Sequence, residues 1–132
     1  MKRSAVNPWT WQEPFGYSQG VLVKGPHETL YVAGQCSIDA DGNVVHAGDM
    51  TAQVGQAVDN LETVLGAAGL TLANVVRYDV YTTDLDGYLA SSHVLSERFA
   101  AWDNLPAGGI LTQVGRLAMP PLMVELVATA TR

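Results

Sequence analysis

A single cysteine, Cys36, stands in a chain of 132 residues. That scarcity excludes an intrachain disulfide and a four-cysteine zinc site, and it fits a reducing compartment. Basic residues are few as well: seven Lys and Arg against thirteen Asp and Glu leave a net charge of -6. The seven (Lys2, Arg3, Lys24, Arg77, Arg98, Arg116 and Arg132) are scattered. Phosphate recognition needs a concentrated positive field, so no nucleic-acid partner is expected. No segment approaches the ~20 uninterrupted apolar residues of a membrane span, and the N-terminus lacks the apolar stretch of a signal peptide. The chain reads as cytoplasmic, with no membrane partner. What is present is apolar: hydrophobic residues make up 48% and charged ones 15%, enough to bury a core in one domain spanning residues 1–132.

Periodicity outlines the elements. Val21–Val23 and Thr29–Ala33 read as strands joined by a Gly25-Pro26 loop with the punctuation of a hairpin. A short third strand at Val44 and Val45 follows Asp39-Ala40-Asp41-Gly42-Asn43, where Asp-Gly predicts a type I′ turn. The same acidic stretch lacks the later ligands of a calcium loop. From Thr51 to Ala68, Val54, Ala57, Val58, Leu61, Val64 and Leu65 recur at helical spacing, and Gly69 supplies the left-handed stop. Val76–Tyr81 alternates as a strand, and Asp84-Leu85-Asp86-Gly87 breaks it. A second helix is expected over Tyr88–Trp102, with Leu89, Val94, Leu95, Phe99 and Trp102 as its buried stripe. Ile110–Val114 and Leu122–Ala130 read as the last strands. The order β-β-β-α-β-α-β-β gives an α+β sheet with two helices on one face. The other face is expected to be buried in an oligomer.

Few residues advertise chemistry. Gly16-Tyr17-Ser18-Gln19-Gly20 matches the G-x-S-x-G nucleophile elbow, but a strand follows Ser18 where that elbow needs a helix. His27, His46 and His93 have no ligand at metal-site spacing, so no metal is expected; His93 stands out beside Ser91 and Ser92 on the second helix. Nothing next to Cys36 supplies the positive charge that makes a thiol reactive, so it reads as a small buried hydrophobe. Trp9, Trp11 and Phe15 read as an aromatic anchor against the core, with a pocket wall as the alternative. Glu125 lies in Leu122-Met123-Val124-Glu125-Leu126-Val127-Ala128. Its carboxylate is either solvated on an exposed strand face or partly buried beside polar groups, where burial suits it to proton transfer.

Taken in order, several segments resemble the YjgF family, also called Rid for reactive intermediate deaminase and known as endoribonuclease L-PSP. They are Gly16–Gly20 leading into a strand, Tyr31-Val32-Ala33-Gly34-Gln35, Asn60-Leu61-Glu62 with Leu65-Gly66-Ala67-Ala68-Gly69, Val75-Val76 through Val80-Tyr81-Thr82-Thr83-Asp84, and Val124-Glu125. The resemblance implies a homotrimer of chorismate-mutase-like subunits whose sheets form an internal barrel, with three pockets between subunits. It implies hydrolysis of enamines and imines such as 2-aminoacrylate, without cofactor or metal. Tyr17 and Glu125 fall on catalytic positions of the pattern and Gly34 on the pocket wall. Two departures bear on substrate. The arginine that clamps a carboxylate after Leu105-Pro106-Ala107 is replaced by Gly108-Gly109 with one added residue, and an asparagine on the second helix by Ser92. Arg116 belongs near the strand's far end and is no substitute. The resulting expectation is a small-molecule hydrolase for an imine, enamine or related labile bond, with room over the two glycines for a bulkier substrate bordered by Trp9 or Trp11. A non-catalytic trimer that binds a metabolite or partner protein is the alternative, and the acidic charge weakens a ribonuclease reading.

Overall fold

The computed structural model describes Met1–Arg132. Its strands are β1 (Lys2–Val6), β2 (Gly20–Lys24), β3 (Thr29–Cys36), β4 (Val75–Thr82), β5 (Ala107–Gln113) and β6 (Val124–Thr131); its helices are α1 (Met50–Ala67), α2 (Leu85–Ser91) and α3 (His93–Ala100). Four strands form a sheet in the order β3-β6-β4-β5, and β1 and β2 form a separate antiparallel ribbon. β4 and β5 run parallel, joined through α2 and α3, as a crossover connection requires. The fold is α+β with its helices on one face of the sheet. No helix is long and apolar enough to cross a membrane.

α1 follows its sequence period. Asp49 caps it by accepting from the Ala52 N–H, and Gly69 at φ +72° follows its end. Val54, Ala57, Val58, Leu61 and Leu65 are buried against Val124, Leu126, Ala128 and Ala130 of β6. The alternating residues Glu125, Val127 and Thr129 turn to the opposite face and are half-buried. That face is mixed, with Tyr31 80% exposed in one cross-sheet row beside Thr129 and Arg77.

Two buried or half-buried amides on α1 fix the strand ends. Gln53, fully buried, donates to the carbonyls of His46 (3.2 Å) and Pro121 (2.9 Å) and accepts from the Met123 N–H (2.8 Å). Asn60 donates to the carbonyls of Cys36 and Ile38, both at 2.8 Å. The end of β3 and the start of β6, which carry Cys36 and Glu125, are thereby tied to the helix.

The first two expected strands do not pair with each other: β2 pairs with β1, from Lys2↔Lys24 to Val6↔Gly20, and β3 pairs with β6, from Thr29↔Thr131 to Cys36↔Glu125. The Gly25-Pro26 loop therefore carries the chain between sheets. Val44 makes only an isolated bridge to Ile38, and the turn before it is not type I′. Gly42 alone has positive φ; the Gly42 N–H reaches the Asp39 carbonyl, so Ala40 and Asp41 form a type I turn closed by Gly42. Hydrogen bonds centred on Asn43 hold the Asp39 carboxyl below its ordinary range. The second helix starts earlier, because Asp84 caps it by accepting from the Gly87 N–H, and it divides at Ser92. Its buried stripe is Tyr88, Ser91, Leu95 and Phe99, whereas Leu89 and Trp102 are exposed.

Gln53→Ala removes the three hydrogen bonds of a fully buried amide, leaving the Pro121 carbonyl and the Met123 N–H without the partner it supplied while the His46 carbonyl keeps the Asp49 N–H. The substitution is expected to lower unfolding stability by about 2–4 kcal/mol. Urea denaturation checks this; a loss below about 0.5 kcal/mol would show that water or neighbouring groups take over all three bonds.

Candidate functional site

The site begins with a serine that holds two segments together. The Ser18 N–H donates to the Pro106 carbonyl (3.0 Å), the Ser18 carbonyl accepts from the Gly108 N–H (3.2 Å), and Ser18 Oγ donates to the Leu105 carbonyl (2.7 Å). Ser18 is buried, its hydroxyl engaged, so it is no exposed nucleophile. Gly16 at φ +77° ends a short 3-10 turn, Glu13–Phe15, and turns the chain into this bridge. The adjoining Tyr17 ring lies on Gly108: a Cβ there would sit 2.7 Å from Tyr17 Cδ2. Trp11 meets the same ring edge-on, with centroids 6.4 Å apart.

Under this arm lies a cavity of about 930 Å³, within the range of small-molecule sites. Trp11, Phe15, Tyr17 and Gln19 wall it on one side, Tyr78 and Tyr88 form part of its floor, and the α2–α3 joint with Ser92 and His93 closes another side. Tyr78 stacks on Phe99 at 5.3 Å, and burial raises the pKa of both Tyr78 and Tyr88, which keeps the two phenols neutral. Ser92 Oγ donates to the Leu89 carbonyl at 3.0 Å. No lysine or arginine lines the cavity, and Glu97 is its one carboxylate. Trp11 and Phe15 are exposed rather than anchored in the core; Gln12, between them in sequence, is the fully buried one. Trp9 is exposed outside the cavity. The aromatic lining from Tyr78 and Tyr88 was not anticipated, since each reads locally as part of a strand or helix.

Gly108 and Gly109 both border the cavity with Trp11, but the place directly over each glycine is filled. Tyr17 covers Gly108, and a Cβ at Gly109 would overlap the Asp79 carboxylate and lie 2.8 Å from Arg77 Nε. Asp79 also accepts from the Ile110 N–H (2.7 Å) and pairs with Arg77 (3.3 Å). Arg116 is turned to the neighbouring carbonyls of Leu117 and Ala118, away from the cavity.

Glu125 and Gly34 form a second group. The Glu125 carboxylate lies over Gly34, where any Cβ would overlap Oε1. Glu125 is in register with Cys36 on β3 and Tyr81 on β4. Burial first, then the charge of Glu125 and a hydrogen bond to it, push the Cys36 thiol up to about 12. The thiol is a protonated neighbour of the carboxylate. Neither Glu125 nor Gly34 lines the cavity, which opens on the other side of the sheet. Within one chain, then, Tyr17, Ser92, Gly108 and Gly109 come together, and Glu125 and Gly34 come together elsewhere. No cluster of three or more His, Cys, Asp and Glu side chains is placed to hold a metal ion.

The endoribonuclease L-PSP family model matches residues 12–132, which include both groups. This chain belongs to that family. A RutC family protein of Pyrococcus abyssi is 32% identical over 119 residues, covering 89% of this chain and 88% of the relative. Among solved structures, YyfB of the conserved Rid protein family from Yersinia pestis is similar with a TM-score of 0.82 and 34% identity over 98% of each chain. The E. coli YjgF gene product is similar with a TM-score of 0.70 and 27% identity, over 88% of this chain and 87% of that one. The endoribonuclease L-PSP family is thus the YjgF/Rid family that the motifs resemble.

Because Glu125 raises the thiol pKa through charge and hydrogen bonding, Glu125→Gln is expected to lower it while burial keeps it above the free-thiol value. Thiolate absorbance near 240 nm, followed against pH, reads the shift. An unchanged titration would show that the two side chains do not touch.

Proposed function

We propose that this protein is a small-molecule hydrolase of the Rid type, acting on an imine, enamine or related labile C–N bond in a pocket completed between subunits of a homotrimer. The observation that carries the reading is the division of the site: a cavity with Tyr17 on one side of the sheet, and a carboxylate seated on a glycine on the other. Each half lacks what the other has. Joined across an interface, the Tyr17 hydroxyl hydrogen-bonds the substrate nitrogen while Glu125 orients a water at the carbon. Ser92, Gly108 and Gly109 border the substrate, with the Tyr17 ring and the Asp79 carboxylate lying over the glycines where relatives of the deaminating kind carry a guanidinium. Water oxygen bonds to carbon, the C–N bond breaks, and the nitrogen leaves with the protons of that water. Such positioning is worth several orders of magnitude when the reacting atoms are held in line.

Loss of the arginine removes two charge-assisted hydrogen bonds to a carboxylate, so 2-aminoacrylate is not the preferred substrate. The second reading is a trimer that binds a metabolite or partner and catalyses nothing; the raised Cys36 thiol and the absence of a cation in the cavity are compatible with it.

Glu125→Gln keeps shape but removes the base, and turnover is expected to fall by about a hundredfold or more with folding intact. Gly34→Ala, which displaces the same carboxylate, is expected to reproduce most of that loss. Light scattering is expected to give three times the 14.1 kDa chain mass. Unchanged rates in both variants would favour the binding-only reading, and a stable monomer would remove the intersubunit pocket.

A further inference from the structure

The lining of the cavity specifies a ligand more closely than the reaction does. More than half of its lining is aromatic or aliphatic, with Trp11, Phe15, Tyr17, Tyr78, Tyr88 and Leu111 among these residues. Gln19, Ser92, His93, Ser96 and Glu97 supply its polar side chains. At about 930 Å³ it is far larger than a three-carbon imino acid needs. Glu97 is its one carboxylate, no lysine or arginine lines it, and no salt bridge engages that carboxylate. The nearest guanidinium to the glycines, Arg77, is outside the cavity and already paired with Asp79. An anionic ligand entering here would lose its hydration and meet the Glu97 carboxylate with no lysine or arginine to offset it, leaving Gln19, His93 and the tyrosine hydroxyls as its donors. A bulky apolar group gains from burial against the rings, and a neutral or protonated nitrogen gains from Glu97 and the aromatic faces.

We propose that this cavity takes a bulky apolar amine, or the imine formed from it, with an aromatic group and no carboxylate. The inference rests on the hydrolase reading only for what happens after binding. There the balanced step is R–CH=NH + H2O giving R–CHO + NH3: the water oxygen forms the new bond to carbon, the C–N bond breaks, and both water protons end on nitrogen.

The test is calorimetric titration of the full chain with three probes: 2-phenylethylamine, phenylacetate and ethylamine. Phenylethylamine is expected to bind saturably, at least about tenfold more tightly than either phenylacetate or ethylamine. Trp11→Ala and Phe15→Ala, both at exposed positions where folding is not at stake, are each expected to weaken it by about tenfold. Glu97→Gln is expected to narrow the gap between amine and acid. Phenylacetate binding as well as the amine, no saturable amine binding, or a Trp11→Ala variant indistinguishable from wild type would each overturn the proposal. Hydrolysis is read separately, as ammonia release from the imine made in situ by an amine oxidase acting on 2-phenylethylamine. Binding without accelerated release supports the ligand class and contradicts the hydrolase reading. Accelerated hydrolysis of 2-aminoacrylate with no amine binding supports the hydrolase reading and contradicts the ligand class.

Discussion

The three hydrogen bonds of Ser18 to the Leu105–Gly108 segment are the constraint on which the cavity depends. β1 and β2 pair only with each other, and apart from the Arg3 hydrogen bond to the Ala73 carbonyl it is these bonds that fasten the N-terminal arm to the main sheet. With them, Tyr17 is set on Gly108, Trp11 stands against Tyr17, and the arm becomes a wall. The bridge spans about 90 residues of sequence, so it closes a long loop whose entropy must be offset by the burial it brings about. A serine suits the position because its small side chain adds a buried hydroxyl bond to the backbone pair that any residue but proline could make. That its pentapeptide matches a hydrolase elbow is incidental to this role.

A second regularity is the use of glycine beneath a polar side chain. Glu125 lies over Gly34, Asp79 over Gly109 and the Tyr17 ring over Gly108. In each case the missing Cβ permits a close approach that alanine would forbid. This changes the meaning of the Gly108-Gly109 pair. These glycines do more than remove an arginine: they accept Tyr17 and Asp79, and an arginine put back at Gly108 would have to displace the tyrosine. α1 supplies the rigidity behind the Glu125 group, since Gln53 and Asn60 tie both flanking strands to a buried helix.

The sequence was legible where one segment carried its own signal. The spacing of Val54 through Leu65 located α1 to within a residue, because a helix that packs on a sheet repeats its apolar face locally. The family's motif order identified the fold over nearly the whole chain. Pairing was less legible: β2 and β3 are adjacent in sequence, yet each finds its partner elsewhere, and nothing in Val21–Val23 records that Lys2–Val6 is waiting for it. Asp84 illustrates another ambiguity, since an aspartate after a strand can end one element or cap the next. The aromatic cavity was the least visible feature. Its walls come from β4, β5 and the α2–α3 joint, already joined by the parallel crossover, and from the N-terminal arm, which the Ser18 bridge adds to them.

The central claim is that Tyr17 of one subunit and Glu125 of the next share a site. Chemical cross-linking tests it without any substrate. Tyr17→Cys and Glu125→Cys are placed in one chain whose native thiol is removed by Cys36→Ala, and the protein is treated with a short bismaleimide. The account predicts covalent dimers and trimers on a denaturing gel, formed only when both substitutions are present. Product confined to the monomer band, with both cysteines shown to be modified, would contradict it.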